Sequence, residues 1–357
     1  MNVKALILLG GLGTRLRPLT LRQPKPLLPI LNRPLLSYQL ELLRRCGIRD
    51  VILGLGHKAA HFKRSLGTGA RWGMRFRYSI ERKPLGTGGA IRFALPNADG
   101  PVLILNGDVL SDFDLNALAR RHRQAKSQAT LALVKVPDPS SFGLVRKDGW
   151  GRVQRFIEKP SSGKFWGRTV NAGCYVFEPE VVWRIPVGRA VSIEREIFPA
   201  LIKEGFRVHG HLHTGYWSDI GTLKTYWRTH ADLHERGLWP KGHHSRGGMI
   251  VAPGAKIHPT ARVRGTAVVG GGAVLGADVV LRGRVTIGPG SRIEEGAQIA
   301  DAVLLENVRV GPRARVEKSI VGAGARVGAD CRVGPDQVLA PVARLPDHTQ
   351  TLPGLTD

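Results

Sequence analysis

A chain of 357 residues with 42% hydrophobic and 23% charged residues has a globular composition and exceeds what one hydrophobic core usually serves, so we expect two domains. The net charge of +25 permits binding to nucleic acid, to an anionic surface or to phosphorylated substrates. The basic residues are spread along the sequence without a helix-turn-helix or zinc-finger spacing, which argues against specific nucleic-acid binding.

Cysteine usage and hydropathy bear on the compartment. Cys46, Cys174 and Cys331 stand far apart and form no CxxC pair, which is typical of a reducing environment. No apolar stretch approaches the roughly 18 residues that would suggest a membrane span. The short apolar run near the N terminus is broken by glycines and followed by arginines, unlike a secretory signal. We therefore expect a soluble, cytoplasmic protein without a membrane partner.

The first predicted element is a strand from Ala5 to Leu9, whose continuous apolar run indicates burial on both faces. The turn that follows it is marked by glycines and basic residues: Gly10, Gly11, Gly13, Arg15, Arg17 and Lys25. Glycine lets the backbone adopt positive φ and come close to a bound group, and the basic side chains supply positive charge. This combination favours a triphosphate ligand.

Two better-known phosphate loops do not fit this turn. The Walker pattern requires Gly-Lys-Ser/Thr after its first glycine and four further residues, whereas Thr14, Arg15 and Leu16 follow here. The dinucleotide pattern begins correctly at Gly11 and Gly13 but demands a small residue where Leu16 stands. The acidic residue that the dinucleotide pattern needs about 20 positions later is also missing.

Strands and helices then alternate along the chain. Apolar periodicity and glycines at element ends predict helices at residues 34–47 and 59–66, and strands at 51–55, 75–80 and 102–105. This rhythm is typical of β-α-β units in a Rossmann-like, mostly parallel sheet. Ligands of such sheets bind at the carboxyl ends of the strands.

Two further motifs follow elements of this predicted sheet. Residues 84–90 form a second glycine turn that opens a helix, and its backbone amides can bind a base edge or a sugar hydroxyl. Asp108 comes directly after the strand at 102–105, in the triplet Asn-Gly-Asp, so that its carboxylate lies at the tip of a buried strand. A carboxylate there can hold Mg²⁺, and an ordinary turn aspartate is the alternative.

Later motifs add charge and hydrogen-bonding groups. Glu158 and Lys159 precede a proline, and Asn171 lies on a predicted neighbouring strand. Together they offer a cation for a sugar phosphate and hydrogen bonds for its hydroxyl groups. Asp219 follows in the segment GYWSDIGT at residues 215–222.

Other polar residues receive a structural interpretation. Asp112 and Asp114 are expected to cap the helix that follows them. His209, His211 and His213 alternate along a predicted strand and share one face. Since no carboxylate or thiol stands at a fitting spacing, we favour a solvated strand face over a zinc site.

The C-terminal third contains a six-residue repeat. Residues 236–249 are rich in glycine, proline and charge and are predicted to be a linker between a domain at 1–235 and the repeats at 250–345, with a tail at 346–357. The repeated aliphatic positions are Ile257, Val263, Val269, Leu275, Leu281, Ile287, Ile293, Ile299 and Leu305, then after a one-residue slip Val310 and Val316, and after another Val321, Val327, Val333 and Leu339. The pattern predicts a hexapeptide β-helix with three short strands per coil and the aliphatic residues inside.

Together, these motifs resemble those of the sugar nucleotidyltransferases, also called NDP-sugar pyrophosphorylases. The matching segments are GGLGTRLRPLT at 10–20, PKP at 24–26, LGTGG at 85–89, EKP at 158–160, NAG at 171–173 and WSDIGT at 217–222. The resemblance implies catalytic roles for Arg15, Lys25, Asp108 and Asp219. It implies nucleotide contacts from Leu9, Gly10, Gly11, Gly13, Thr14, Arg15, Gly86 and Thr87, and sugar-phosphate contacts from Gly143, Glu158, Lys159 and Asn171.

Within that family the chain looks most like the mannose-1-phosphate guanylyltransferases that carry a left-handed β-helix. This resemblance implies that GTP and mannose 1-phosphate give GDP-mannose and pyrophosphate, with one Mg²⁺ held by Asp108 and Asp219. The attacking phosphate oxygen is already an anion, so the reaction needs no general base. The β-helix is expected to support a homo-oligomer or feedback regulation.

Alternatives stay open at this point. Glucose-1-phosphate uridylyl-, thymidylyl- and adenylyltransferases share most of these motifs, and heptose-phosphate guanylyltransferases share the run LGTGGAI. Hexapeptide β-helices also occur in acyltransferases that use a histidine, but His258, at the first coil, is expected to be structural. A non-catalytic regulatory homologue is a further alternative, against which the complete set of motifs argues.

Overall fold

The computed structural model describes residues 3–56, 58–160, 165–239 and 242–351. By its packing the chain divides into two compact units. We call them the sheet unit, which is Met1–Leu12 with Leu36–Asp219, and the coil unit, which is Gly13–Leu35 with Ile220–Asp357. A segment from the N-terminal part of the sequence thus packs with the C-terminal part. The predicted tail lies outside the described residues from 352 onwards.

The strands up to residue 219 are β1 (Lys4–Leu8), β2 (Pro29–Ile30), β3 (Arg33–Pro34), β4 (Asp50–Leu55), β5 (Arg75–Ile80), β6 (Val102–Asn106), β7 (Val109–Ser111), β8 (Ala129–Lys135), β9 (Gly143–Lys147), β10 (Val153–Glu158), β11 (Thr169–Phe177), β12 (Val208–Leu212) and β13 (Trp217–Asp219). The α-helices are α1 (Leu35–Arg45), α2 (Ala59–Leu66), α3 (Gly86–Ala94), α4 (Leu115–Gln124), α5 (Pro179–Trp183), α6 (Phe198–Lys203) and α7 (Leu223–Glu235). The predicted strands and helices of the first 105 residues are therefore confirmed, with ends shifted by one or two residues at most.

The sheet unit is built on a nine-stranded sheet with the order β10-β9-β11-β6-β1-β4-β5, to which β8 adds by pairing with β11 and β12. Strands β6, β1, β4 and β5 are parallel, which confirms the β-α-β prediction. Strand β11 enters antiparallel to β6 and β8. Ala5, Leu6 and Ile7 of β1 are completely buried, as expected for a central strand of a parallel sheet.

The Gly13–Leu35 part of the coil unit contains only short elements. Single turns of 3₁₀ helix cover Thr14–Leu16, Leu19–Leu21 and Lys25–Leu27, and the strands β2 and β3 form a hairpin. Helix α7 begins at a capping box in which Thr222 and Thr225 bind each other's backbone amides. None of the described helices is long and apolar enough to cross a bilayer.

The predicted repeats form the β-helix of the coil unit. Its strands are β14 (His244–Arg246), β15 (Met249–Val251), β16 (Lys256–Ile257), β17 (Arg262–Val269), β18 (Val274–Leu275), β19 (Val280–Ile287), β20 (Arg292–Ile293), β21 (Gln298–Ala300), β22 (Val303–Leu304), β23 (Arg309–Val310), β24 (Arg315–Glu317), β25 (Ile320–Val321), β26 (Arg326–Val327), β27 (Arg332–Val333), β28 (Val338–Leu339) and β29 (Arg344–Leu345). From β15 onwards they stack in parallel, so the aliphatic residues of successive coils lie above one another.

The register corrects one predicted position. Ile287 pairs with Leu304 rather than with Leu305, so the first one-residue slip comes before Leu304. The corner after Ile299 has one residue fewer than the corner above it, and Asp301 turns the chain there with a φ of +46°. Lys318 turns the next coil in the same way, with a φ of +42°.

Two faces of the β-helix differ in the polarity of their outward residues. Arg292, Arg309, Arg326 and Arg344 pair rung to rung on one face and are all exposed, so they form a continuous arginine row. On another face, the outward residues Val268, Thr286, Val303 and Ile320 are buried. The sequence shows basic residues spread out, and the repeat brings four of them together.

Candidate active site

The site is built at the carboxyl ends of β1 and β6, which pair side by side as far as Leu8 and Asn106. The backbone amide of Gly107 donates to the Leu8 carbonyl at 2.9 Å. A Cβ on Gly107 would lie 2.6 Å from the Leu8 carbonyl oxygen, so the close approach of the two strand ends requires glycine. Asp108 follows immediately at this edge of the sheet.

The strands β7 and β13 bring the second aspartate to the same place. They pair antiparallel, with Asp219 opposite Val109. Directly opposite residues in such a pair have Cα atoms about 5 Å apart. Asp108, one residue before Val109, therefore lies at the same point of the edge as Asp219.

The residues present fit a divalent metal ion. Asp108 and Asp219 are both half-buried, and Mg²⁺ prefers one or two carboxylates together with phosphate oxygens. Beside them, the side-chain oxygen of Asn106 is buried and has no hydrogen-bond partner in the described chain. The described residues contain no cluster of three or more His, Cys, Asp or Glu side chains. A magnesium ion here would take its remaining ligands from water and phosphate oxygens.

Gln39 of α1 holds the turn that carries Asp108. Its Nε2 donates to the carbonyls of Asn106 and Val109, at 2.7 and 2.8 Å, on either side of the Gly107-Asp108 pair. The side chain is only 5% exposed. Gln39 was not predicted from the sequence, although it is an amide on the otherwise leucine-rich face of a predicted helix.

The second glycine turn confirms a helix opening at Gly86, with a φ of +69°. A Cβ on Gly86 would lie 2.5 Å from the Val191 carbonyl. The hydroxyl of Thr87 donates to Glu194 at 2.7 Å and accepts from the Ile193 amide at 2.9 Å. Thr87 thus orients Glu194, a residue that sequence analysis missed. Its direct contact with nucleotide stays a prediction.

Glu81 is a second missed carboxylate. It follows β5 and accepts from the Leu85 amide at 2.9 Å, just before α3. Burial raises the pKa of Glu81, and the hydrogen bond from Leu85 opposes that shift. A Cβ on Gly10 would lie 4.0 Å from Glu81 Oε1, so the first glycine turn passes close to this carboxylate.

The predicted sugar-phosphate residues lie on β9, β10 and β11. Glu158 pairs with Gly143, where a Cβ would lie 2.4 Å from the Phe156 ring. Lys159 adopts a φ of +48°, and its amide donates to the Phe142 carbonyl. Burial raises the pKa of Glu158, the nearby Glu194 raises it further, and Lys159 and Arg195 oppose the shift.

Asn171 makes local hydrogen bonds at an irregularity in β11. Its Nδ2 donates to the Tyr175 hydroxyl at 2.8 Å, and its Oδ1 accepts from the Gly173 amide at 3.2 Å. The pairing of β11 with β8 shifts register between Asn171 and Tyr175. Gly173 also packs against Asn106, which a Cβ would approach to 2.9 Å.

Trp217 connects this region to the two aspartates. It lies two residues before Asp219, and its Nε1 donates to the Ala172 carbonyl at 2.9 Å. Its ring packs edge-on against Phe142, with centroids 5.4 Å apart. In the sheet unit, therefore, a hydrogen bond links β13, which carries Asp219, to β11, which carries Asn171.

The rest of the glycine turn belongs to the coil unit. Gly13 has a φ of +63°, and a Cβ there would lie 3.1 Å from the Cβ of Lys25. Thr20 donates to the Gly13 carbonyl at 2.8 Å, which closes the turn. Thr14 and Arg15 are exposed, whereas Lys25 is only 8% exposed between its flanking prolines. The predicted catalytic cations thus lie on a segment with close internal packing.

One of the capping predictions is wrong. Asp114 caps α4 by accepting from the Ala117 amide at 2.8 Å, as expected. Asp112 instead lies 3.0 Å from His213 Nε2, because its carboxylate points to the strand ladder of β7 and β13. The predicted solvated histidine face is also wrong at His213, whose side chain is mostly buried. His209 contacts Ser127 at 2.9 Å.

The chain matches two family models. The model described as "Nucleotidyl transferase" matches residues 4–236, and the model described as "GMPPB C-terminal domain" matches residues 246–350. Both descriptions refer to sequence families, and the second covers the β-helix.

Several curated proteins are similar. A mannose-1-phosphate guanylyltransferase of Mycobacterium tuberculosis is 44% identical over 262 residues, which is 72% of each chain. A mannose-1-phosphate guanylyltransferase catalytic subunit beta of Danio rerio is 40% identical over 63% of this chain and 62% of its own length. A mannose-1-phosphate guanyltransferase of Neurospora crassa is 36% identical over 71% of this chain and 73% of its own.

A solved structure is similar as well. It is the crystal structure of HddC from Yersinia pseudotuberculosis complexed with GMP-PN, with a TM-score of 0.56 and 27% sequence identity. The match covers 65% of this chain and 99% of that one.

Proposed function

This chain belongs to the nucleotidyl transferase family, and from that premise we propose that it transfers a guanylyl group from GTP to mannose 1-phosphate. The products are GDP-mannose and pyrophosphate. The adjacency of Asp108 and Asp219 at the carboxyl edge of the sheet carries the proposal for the reaction. The names of the similar curated proteins support the choice of base and sugar.

The reaction balances without an added acid or base. An anionic phosphate oxygen of the sugar 1-phosphate forms a bond to the α-phosphorus of GTP, and the bond between that phosphorus and the bridging oxygen to the β-phosphate breaks. The electron pair leaves with pyrophosphate. Because both reactants are anions, the protein must hold them in line and neutralise the charge on the equatorial oxygens.

We assign the neutralising charge to three basic side chains. Arg15 and Lys25 bind the triphosphate, and Lys159 binds the sugar phosphate. Backbone groups of Leu9, Gly10, Gly11, Gly13 and Thr14 and the turn at Gly86 and Thr87 contact the nucleotide. Glu158 accepts hydrogen bonds from sugar hydroxyls, and Asn171 both accepts hydrogen bonds from them and donates to them. Gly143, which has no side chain, leaves space for the sugar.

Members of this family generally use a divalent metal, and we propose Mg²⁺ with Asp108 and Asp219 as its protein ligands. When bound, the ion would supply positive charge to the phosphate oxygens. Gln39 keeps the Asp108 turn in place, and Trp217 keeps Asp219 next to β11.

For domain organisation we propose a catalytic domain at 1–235, a linker at 236–249 and an assembly domain at 250–345. The β-helix would join copies of the chain into a homo-oligomer. Light scattering after size-exclusion chromatography measures that state directly. A strictly monomeric chain at micromolar concentration would contradict the assembly role.

A pyrophosphate-release assay over four NTPs and several sugar 1-phosphates tests the function. We expect the largest kcat/KM for GTP with mannose 1-phosphate, and a requirement for divalent metal. Preference for another pair would correct the substrates but not the reaction class. Absence of turnover with every pair would favour the regulatory homologue. Binding of acetyl-CoA by calorimetry would revive the acyltransferase alternative.

A further inference from the structure

The Gly13–Leu35 segment is attached to the β-helix through helix α7. Along one face of α7, Tyr226, His230 and His234 follow at intervals of four residues, so their side chains lie above one another. The Tyr226 hydroxyl donates to the Pro29 carbonyl at 2.5 Å, and His230 Nε2 lies 3.2 Å from the same oxygen. Two side chains of α7 therefore bind one carbonyl, four residues after Lys25.

Both histidines also contact one hydroxyl group of the β-helix, that of Thr286. Thr286 Oγ1 lies 3.2 Å from His230 Nδ1 and 3.1 Å from His234 Nε2. Thr286 is 1% exposed, and the rungs on either side of it carry Val268 and Val303. This hydroxyl is thus a polar exception in an apolar row, and both histidines depend on it.

The hydrogen-bond partners determine which ring nitrogen of each histidine carries the proton. The Pro29 carbonyl only accepts, so His230 carries its proton on Nε2 and accepts at Nδ1 from the Thr286 hydroxyl. Thr286 then accepts from His234 Nε2, and His234 Nδ1 accepts from Thr266, 3.0 Å away. Every bond runs in the same direction, from the β-helix to the carbonyl of Pro29.

Both histidines are neutral in this arrangement. Burial lowers the pKa of His230 to about 3, with His234 adding to the shift. Burial lowers the pKa of His234 to about 4, with Arg284 adding to the shift and Asp301 opposing it. These hydrogen bonds require neutral histidines, because both nitrogens of a protonated imidazole are donors and neither can accept from a threonine hydroxyl.

A further bond fixes the far end of the segment. Asn32, with a φ of +64° in the hairpin of β2 and β3, donates from Nδ2 to the Ile287 carbonyl at 2.9 Å. The neighbouring Leu31 is completely buried. The two attachments, at Pro29 and at Asn32, both end on adjacent residues of one coil, Thr286 and Ile287.

We infer that this hydrogen-bond chain positions the Lys25 turn for catalysis, so that Thr286 and His230 are positioning residues of the enzyme and the β-helix takes part in nucleotide turnover. The inference rests on the proposed role of Lys25. From Lys25 to Pro29 the chain has little freedom, because the Leu28 amide donates to the Lys25 carbonyl at 3.0 Å and both leucines between them are buried.

Thr286→Val tests the inference, because valine keeps the shape of threonine and removes the hydroxyl. We expect kcat/KM for the NTP to fall about tenfold while the KM for the sugar 1-phosphate stays unchanged, as the residues assigned to the sugar lie in the sheet unit. Thr286→Ser restores the hydroxyl and should regain most of the activity. The matched control is Ser291→Ala, which removes a buried hydroxyl that bonds only within the β-helix.

A readout independent of activity separates this inference from the proposed function. Hydrogen exchange at the amides of Leu27, Leu28 and Leu35 should quicken about tenfold in Thr286→Val but not in Ser291→Ala. If Thr286→Val does not fold, Tyr226→Phe removes the other bond to Pro29 and serves instead. Unchanged exchange would overturn the attachment, and faster exchange with unchanged NTP kinetics would overturn its catalytic role. Full turnover by Lys25→Met would overturn the function of Lys25 alone.

Discussion

The sheet unit and the β-helix use their residues in opposite ways. At the sheet edge each polar group comes from a different part of the chain and has a particular partner, as with Gln39 and the Asp108 turn. On one face of the β-helix, neighbouring rungs repeat one pattern of an outward arginine and an inward aliphatic residue. Function in the sheet unit therefore depends on individual atoms, whereas stability in the β-helix is shared among rungs. Thr286 is an exception, since it gives one rung of the repeat a particular task.

The largest effect should come from a charge at the sheet edge. Asp108→Asn keeps the size of the side chain and removes its charge, and we expect turnover to fall about 10³-fold, or ~4 kcal/mol of barrier. Pyrophosphate release measures the loss, and circular dichroism checks the fold. The control is Asp336→Asn, on an exposed left-handed corner of the β-helix, which should leave turnover unchanged. Equal activity of the two variants would remove Asp108 from the site.

The second-largest loss of activity should come from Gln39, a buried amide in the sheet unit. Gln39→Leu removes two hydrogen bonds to the carbonyls around Asp108, which we expect to cost ~2 kcal/mol of barrier, or roughly 30-fold in kcat. The variant should also bind the divalent metal less tightly, so that titration shows a higher metal concentration at half-maximal activity. Gln298→Leu makes the same change in β21 and should not alter kcat. If both variants behaved alike, the contrast between unique and repeated positions would fail.

Low pH should destabilise the protein through His230 and His234, the two histidines that contact Thr286. The pKa of His230 and of His234 is lower in the folded protein than in the unfolded chain, which takes up protons near pH 6.5. The contribution of these two histidines to the free energy of unfolding is therefore complete above pH 6.5. It is lost as pH falls towards 4, by up to ~1.4 kcal/mol per pH unit for each histidine. Urea unfolding from pH 7 to 4 measures the slope.

His234→Gln should flatten that slope, because one of the two groups no longer takes up a proton on unfolding. His258→Gln, at an exposed position of the first coil, should keep the slope of the parent protein. A slope that is the same in all three proteins would show that the buried histidines do not control acid stability.

The smallest effect should come from the arginine row. Arg309 lies between Arg292 and Arg326 on neighbouring rungs, and like charges directly opposite each other destabilise a sheet. Arg309→Gln should raise the free energy of unfolding by ~0.3 kcal/mol and reduce its dependence on salt. Arg313→Gln should do the reverse, since it breaks an ion pair with Asp330 at 2.7 Å. Urea midpoints at low and high salt distinguish the two.

The sequence predicted those features that are local. A six-residue repeat and a strand-helix alternation each lie within a short window, so the β-helix and the parallel strands were accessible from periodicity. Asp108 and Asp219 were found because each stands in a recognisable motif next to a strand end. Their adjacency needed only that both motifs belong to one sheet edge.

The parts that escaped prediction depend on contacts between distant segments. Gln39 looks like a surface amide until the fold places it beside the carbonyls of Asn106 and Val109. The arginine row arises because 17- and 18-residue coils align residues that the sequence spreads apart. The slip before Leu304 could not be located, because Leu304 and Leu305 are both aliphatic and both buried.

The attachment at Asn32 has a consequence for the order of biosynthesis. Its partner, Ile287, lies 255 residues further along the chain. During translation, the nascent polypeptide therefore holds a nearly complete catalytic sequence whose Gly13–Leu35 segment cannot yet reach its final contacts. Long-range pairing of this kind forms late and slowly. The chain must therefore be extended past Ile287 before this segment can be held in place, so a message truncated before that residue yields a protein with the earlier motifs but an unsupported Gly13–Leu35 segment.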